Sequence, residues 1–359
     1  MLVIHVGPRK TASTYLQANF YRSRKLLWRK GWLYPVLSLK VRNAHHEIGS
    51  SVGDIRSGRG PMVEAIRKAG RRAAARDANI LVSTESFFRW SPADFLALGA
   101  LFGQNDIRIA YVLRDPLSLM PSLWAETVKG GATRSLSAYA ERQVASPETS
   151  MAFNCLVELG PILAEPRLKL TVLDFEQIRR EKIDIFTAFC AEILDIEGLR
   201  PAAPATRNER LAPEIYDYLR ILSKAGGADS GPRDILYWRR FLRSHDATDM
   251  AKIAETVARL GADSRSFLRF ERSAPWFSAL DEQARTALDG RIAPPTSRRP
   301  LFAGEDVEAV SYDIARFENH PEIVALVEMS KRKLGRQPFR WGRTGLAARL
   351  RAIMRRLGL

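Results

Sequence analysis

An α/β fold with a central parallel sheet is what this 359-residue sequence predicts, on three observations. Four short β-branched or apolar runs, Leu2–Val6, Ile80–Ser83, Ile107–Leu113 and Leu168–Leu173, punctuate its first half. Helix-periodic stretches long enough for crossovers separate them, the pattern of a three-layer α/β/α core. Two of the runs end on cationic polar turns that lead straight into helical patterns, and open α/β sheets bind ligands at such strand ends.

Leu2–Val6 reads as the first strand and stops at Gly7. The turn after it carries Arg9 and Lys10 as cations and Thr11, Ser13 and Thr14 as hydroxyls, with Ala12 among them. A helix over about 14–29 follows, with Tyr15, Leu16, Phe20 and Leu27 among its apolar residues. A strand, a hydroxyl-rich basic turn and a helix start together make an anion site, because free amides and the positive helix end point at the ligand. An ordinary βα turn capped by Ser or Thr is the plainer alternative. Next come a loop with His45 and His46, a basic helix over about 61–76, and the strand Ile80–Ser83, from whose end Glu85 emerges.

Ile107–Leu113 ends at Arg114, and the helix beyond it has Pro116 in its first turn. Ser122 lies eight residues past Arg114, about two helical turns along. The alternative here is an Arg114–Asp115 surface pair and a helix-interior serine. Leu168–Leu173 leads into an amphipathic helix, Phe175–Leu194, and a linker at Pro201–Pro204. Residues 211–330 look mainly helical, broken at Gly226-Gly227, Gly231-Pro232 and Pro294-Pro295. The expected layout is a core over 1–200, a helical cap over 201–330 that completes the same domain, and a basic tail over 331–359.

Composition narrows the function classes. Net charge is +16, but residues 331–359 hold ten Lys or Arg and no acid. Forty-six cations against forty acids remain for residues 1–330, a net of +6 that suits a multiply anionic ligand. There is no zinc-finger spacing and no aromatic–basic RNA-binding signature, so no specific nucleic-acid partner is expected. Cys155 and Cys190 lack metal spacing and read as buried thiols of a reducing compartment. No run of about 18 apolar residues exists, and the first strand leaves no room for a secretory signal, so a cytoplasmic location is expected. In the tail, Leu346, Leu350, Ile353, Met354 and Leu357 form one apolar stripe opposed by arginines. Over 343–359 this suits peripheral contact with an anionic inner-membrane surface; docking on the body or on a partner is the alternative.

Lys10 comes three residues after Gly7 with no second glycine, unlike the G-x-x-x-x-G-K-[ST] loop of nucleotide hydrolases. The order G-x-x-K-T-x-[ST]-T resembles the 5′-phosphosulfate loop of sulfotransferases that use 3′-phosphoadenosine 5′-phosphosulfate (PAPS). Ala12 departs from that family's usual glycine. Arg114 with Ser122 is similar to the family's 3′-phosphate motif. The resemblance covers roughly residues 1–200 and implies a P-loop NTPase-like sulfotransferase fold, with PAPS as donor and adenosine 3′,5′-bisphosphate (PAP) as product.

It further implies that Arg9, Lys10, Thr11, Ala12, Ser13, Thr14, Arg114 and Ser122 bind the donor, with Lys10 at the leaving oxygen. Glu85 is the first choice as general base, since the family often places a His or Glu there, and His46 is the second. No acidic cluster lies beside the loop, so no metal is expected. Glu85 could instead cap a helix or pair with Lys10 or Arg114. His5, His245 and His320 read as structural. Glu126, Lys129 and Gly130 resemble the family's extension of the second motif or are surface residues. The acceptor, a carbohydrate, a glycolipid or a small metabolite, is not named by any motif, nor is the oligomeric state. An atypical nucleotide-dependent phosphotransferase and a non-catalytic basic membrane-surface adaptor are the rival readings.

Overall fold

The computed structural model describes residues 1–8, 10–37, 42–88, 90–202, 211–226, 235–294, 300–302 and 304–336. Its strands are β1 (Leu2–His5), β2 (Trp32–Leu33), β3 (Asn79–Ser83), β4 (Ile107–Leu113), β5 (Leu168–Asp174), β6 (Arg265–Phe270), β7 (Ile292–Ala293) and β8 (Val307–Tyr312). Six of them form one sheet in the order β2-β3-β1-β4-β5-β7, and every neighbouring pair is parallel. A separate two-stranded sheet pairs β6 with β8. The α/β class with a central parallel sheet is therefore as expected.

Contacts divide the chain into two compact units. The first comprises 1–124, 136–210 and 268–309 and contains the parallel sheet. Leu2 sits level with Ile80 and Ile107, and Ile107 with Leu168, so these apolar side chains line one face. Val3, Leu81, Ala110, Val112 and Leu173 line the other and pack with Leu16 and Phe20 of helix Ser13–Arg22 and Phe186, Phe189 and Ile193 of helix Ile185–Leu194. Both faces being covered explains why the strands read as apolar runs rather than alternating ones. Tyr15 Oη donates to Asp184 Oδ2 at 2.6 Å and ties those two helices together.

The chain leaves β1 toward β2, on one side, and leaves β4 toward β5, on the other. Opposed departures from neighbouring strands open a crevice at the carboxyl ends of β1 and β4.

The sequence merged elements that the structure separates. The expected helix over 14–29 is two, Ser13–Arg22 and Arg24–Arg29, broken at Ser23. Phe175–Leu194 is also two, Phe175–Arg180 and Ile185–Leu194. Asp184 starts the second by accepting from the Phe186 and Thr187 amides, and Lys182 turns the chain with φ 56°.

The expected boundary at residue 200 also needs correction: 268–309 belongs with the sheet, to which β7 adds the sixth strand. Its two residues are too short a pattern to read as a strand. Among its described residues 211–330 is mainly helical, as expected, with the strands β6, β7 and β8 also lying within it.

The second unit comprises 125–135, 211–267 and 310–359. Helices Pro213–Ala225 and Ala247–Leu260 pack together, as do Ile235–Ser244 and Pro321–Arg336. Tyr218 Oη, Ser330 Oγ and His245 Nε2 form a buried hydrogen-bonded chain, so His245 is structural, as expected. Lys129 pairs with Glu126 at 2.8 Å and lies over the Trp238 ring at 5.2 Å, so it is packed, not a free surface cation. The tail stripe over 343–359 lies outside the described residues, as do Gly227, Gly231-Pro232 and Pro295.

Phe20 is fully buried and meets the rings of Phe186, Phe189 and Tyr34 at 4.9–5.6 Å. Phe20→Ala is therefore expected to cost about 3–5 kcal/mol in urea unfolding. A loss under about 1 kcal/mol would mean that this face collapses to fill the space.

Candidate functional site

The anion-site reading of the first turn rests on backbone geometry. After the fully buried β1, the chain turns with Lys10 at φ 71° and Ala12 at φ 61°, both left-handed. Residues with a Cβ pay for that conformation, at roughly 1–2 kcal/mol each. Ala12 thus occupies a position whose backbone favours glycine, which gives the departure noted in the sequence a physical meaning.

Helix Ser13–Arg22 starts directly after this kink with no side-chain cap at its N-terminus, so its first-turn amides are not capped by a side chain. The plainer reading of a Ser- or Thr-capped turn does not hold.

The hydroxyls divide. Thr11 is buried and its Oγ1 donates to the Pro8 carbonyl at 2.6 Å, so it braces the turn and has no proton to give a ligand. Thr14 is exposed. Ser13 Oγ is buried without a hydrogen-bond partner, as is His5 Nε2. Both converge on Gly7, where a Cβ would come within 2.8 Å of His5 Nε2 and 3.3 Å of Ser13 Oγ and Thr11 Oγ1. Only glycine leaves room for these polar atoms to meet. Arg9 lies outside the described residues.

Arg114 follows β4, and its Nη1 donates to the Lys10 carbonyl at 2.6 Å. The two cationic turns, more than 100 residues apart in sequence, are thereby one assembly in the crevice between β1 and β4. Arg114 Nε also lies 4.0 Å from Glu176 Oε1, and its guanidinium 5.7 Å from the Phe175 ring. Glu176 was missed by sequence reasoning: it opens a helix at the end of β5, and only the β4–β5 pairing brings that end beside Arg114.

Asp115 does not pair with Arg114. It accepts from the Ser118 amide at 2.8 Å and forms a buried ion pair with Arg272, which also donates to the Phe302 and Glu305 carbonyls. The surface-pair alternative is thus wrong. Ser122 is half-buried in helix Pro116–Lys129, and no hydrogen bond joins it to Arg114.

Both candidate bases stand at the end of β3, next to β1. Glu85 opens the 3₁₀ turn Glu85–Phe87, whose cap is Thr84, through Oγ1 to the Ser86 amide at 3.0 Å. Glu85 is half-buried, caps nothing, and makes no ion pair with Lys10 or Arg114.

His46 opens the short helix His46–Ser50, and its Nδ1 faces Thr84 Oγ1 at 2.8 Å and Ser86 Oγ at 3.4 Å. A Cβ on Gly49 would stand 2.3 Å from Ser86 Cβ, so glycine permits the close approach that brings His46 there. His45, by contrast, is structural. It accepts from the Ser83 amide at Nδ1 (2.9 Å), which leaves Nε2–H to donate to the Pro35 carbonyl at 2.8 Å. Burial lowers His45 and His5 to about 4, so both are neutral at pH 7. Burial likewise pushes the Cys155 and Cys190 thiols up to about 12, so neither is a thiolate nucleophile.

Among the described residues, no group of three or more His, Cys, Asp or Glu is placed to hold a metal ion. No described helix is long and apolar enough to cross a membrane. No family model, curated protein or solved structure matches the chain.

Ala12→Gly is expected to raise stability by about 0.5–1 kcal/mol, because relief of the left-handed alanine exceeds glycine's extra unfolded-state freedom. Urea unfolding reads it; a loss of stability would mean that Ala12 is at ease where it stands.

Proposed function

We propose that the chain is a sulfotransferase that moves the sulfuryl group of PAPS to a hydroxyl or amine acceptor and releases PAP. The observation that carries this reading is the hydrogen bond from Arg114 Nη1 to the Lys10 carbonyl. It puts two cationic turns side by side at a strand-end crevice, as a ligand with phosphates at both its 5′ and 3′ positions requires. The unpartnered Ser13 Oγ, the uncapped start of its helix and the space left by Gly7 support the fit of a phosphate at the first turn.

In this reading the Ser13–Tyr15 amides and Ser13 Oγ hold the 5′-phosphate, and the Lys10 ammonium neutralises charge growing on its leaving oxygen. Arg114, with Ser122 on the helix beyond it, anchors the 3′-phosphate and sets the donor's register. The acceptor oxygen bonds to sulfur as the bond from sulfur to the 5′-phosphate oxygen breaks. PAP departs with that electron pair, and the acceptor's proton goes to a base at the end of β3. Positioning and charge neutralisation do most of the work, as in phosphoryl transfer.

Glu85 takes that proton directly. His46 does so as the tautomer whose Nδ1–H donates to Thr84 Oγ1, leaving Nε2 to accept.

Calorimetric titration with PAP, ATP and AMP tests the donor. PAP is expected to bind tightest, and Arg114→Ala to weaken PAP by roughly 10–100-fold while AMP changes little. Glu176→Gln, which removes a carboxylate beside Arg114, is expected to tighten PAP at low salt. Preference for ATP, or indifference to the 3′-phosphate, would overturn the reading.

For the base, Glu85→Gln or His46→Ala should lower turnover by roughly 10²–10⁴-fold with PAP affinity intact. Full turnover in both variants would remove both assignments.

A further inference from the structure

On the face of the sheet opposite helix Ser13–Arg22, a cavity of about 260 Å³ lies within the first unit. Val6 and Tyr111 form its floor, Phe87, Phe88, Trp90 and Phe95 one wall, and Val157, Leu159 and Ile162 another. Phe87, Trp90 and Phe95 brace one another at 4.5–5.7 Å between ring centroids.

The polar atoms of this lining have protein partners. Trp90 Nε1 donates to the Gly49 carbonyl, Ser91 Oγ to Asp94, and Tyr111 Oη to Glu158 Oε2. What remains for an occupant is mostly ring surface and aliphatic carbon, with the Glu158 carboxylate as the one charged group of the lining. Phe88 and Val157 are 41% and 36% exposed, and they give the cavity an apolar rim open to solvent.

The position matters as much as the lining. Val6 immediately precedes Gly7 of the phosphate turn, and Phe87 ends the 3₁₀ turn that Glu85 begins. The cavity therefore shares its residues' local segments with both the donor turn and one candidate base.

We propose that this cavity holds the ring of an aromatic alcohol or phenol, the acceptor class for the transfer proposed above, and the assignment rests on that reading. The same lining disfavours a sugar: most of its several hydroxyls would be buried against rings and aliphatic carbon, with the Glu158 carboxylate able to accept from only a few, whereas one hydroxyl on a ring can project to the base. The volume, just below the usual range of small-ligand pockets, fits one or two fused rings.

The test uses the full chain with 2-naphthol and glucose as probes, and the variant Val157→Trp, which fills the cavity from its exposed rim. Fluorescence titration is expected to show saturable 2-naphthol binding that Val157→Trp weakens by about tenfold or more. PAP affinity stays within about twofold of wild type, because the rim is no part of the donor turn. With PAPS, 2-naphthol supports PAP release and glucose does not. Absence of saturable naphthol binding, unchanged binding in Val157→Trp, or turnover with glucose alone would overturn the acceptor assignment while leaving the donor reading intact. Cavity-dependent naphthol binding in a protein that does not bind PAP would overturn the sulfotransfer reading instead, and the acceptor role with it.

Discussion

Everything at the strand ends depends on how β4 outruns β1. His5, the last residue of β1, is level with Ala110, and β4 continues through Tyr111, Val112 and Leu113 before releasing the chain at Arg114. Arg114 therefore stands beyond the floor on which the first turn begins. The turn rises beside the overhanging strand, and its Lys10 carbonyl comes within reach of the guanidinium. A shift of one residue in this register would exchange the faces of β4, bury Arg108 where Ile109 now lies, and withdraw Arg114 from the turn.

Short apolar runs made the sheet readable: β1 and β3 each hold three consecutive apolar residues and β4 five, all buried, while β5 is apolar but for Lys169 and Thr171 before its final Asp174. The turns at their ends stood out for a different reason: Gly7 permits a close approach and Lys10 and Arg114 are cations at strand ends, although that the two turns meet was not legible. What stayed hidden depended on contacts across the chain. Glu176 reads as an ordinary first-turn acid until β5 pairs with β4. Thr11 and Ser13 are interchangeable on paper, and only the fold turns one hydroxyl to Pro8 and leaves the other unpartnered. His45 and His46 are adjacent and chemically identical, yet one is locked between Ser83 and Pro35 and the other meets Thr84 and Ser86.

The two sides of the sheet divide the chemistry. Helix Ser13–Arg22, with the cationic turn at its head, packs on the Val3–Ala110–Val112 side. The aromatic cavity lies on the Val6–Tyr111 side. A strand alternates its side chains between faces, so β1 and β4 serve both without any residue being asked to do two things. A polar surface and an apolar one can then vary independently.

The Asp115–Arg272 ion pair has a consequence for synthesis. Asp115 starts the helix that follows Arg114, and its partner lies 157 positions further along the chain, in the same returning segment that supplies β7. On a ribosome adding about 5–20 residues each second, the first five strands emerge some seconds before Arg272 does. During that interval a buried aspartate at the mouth of the crevice has no counter-charge. The segment that carries Arg272 thus supplies both that counter-charge and the sixth strand of the sheet.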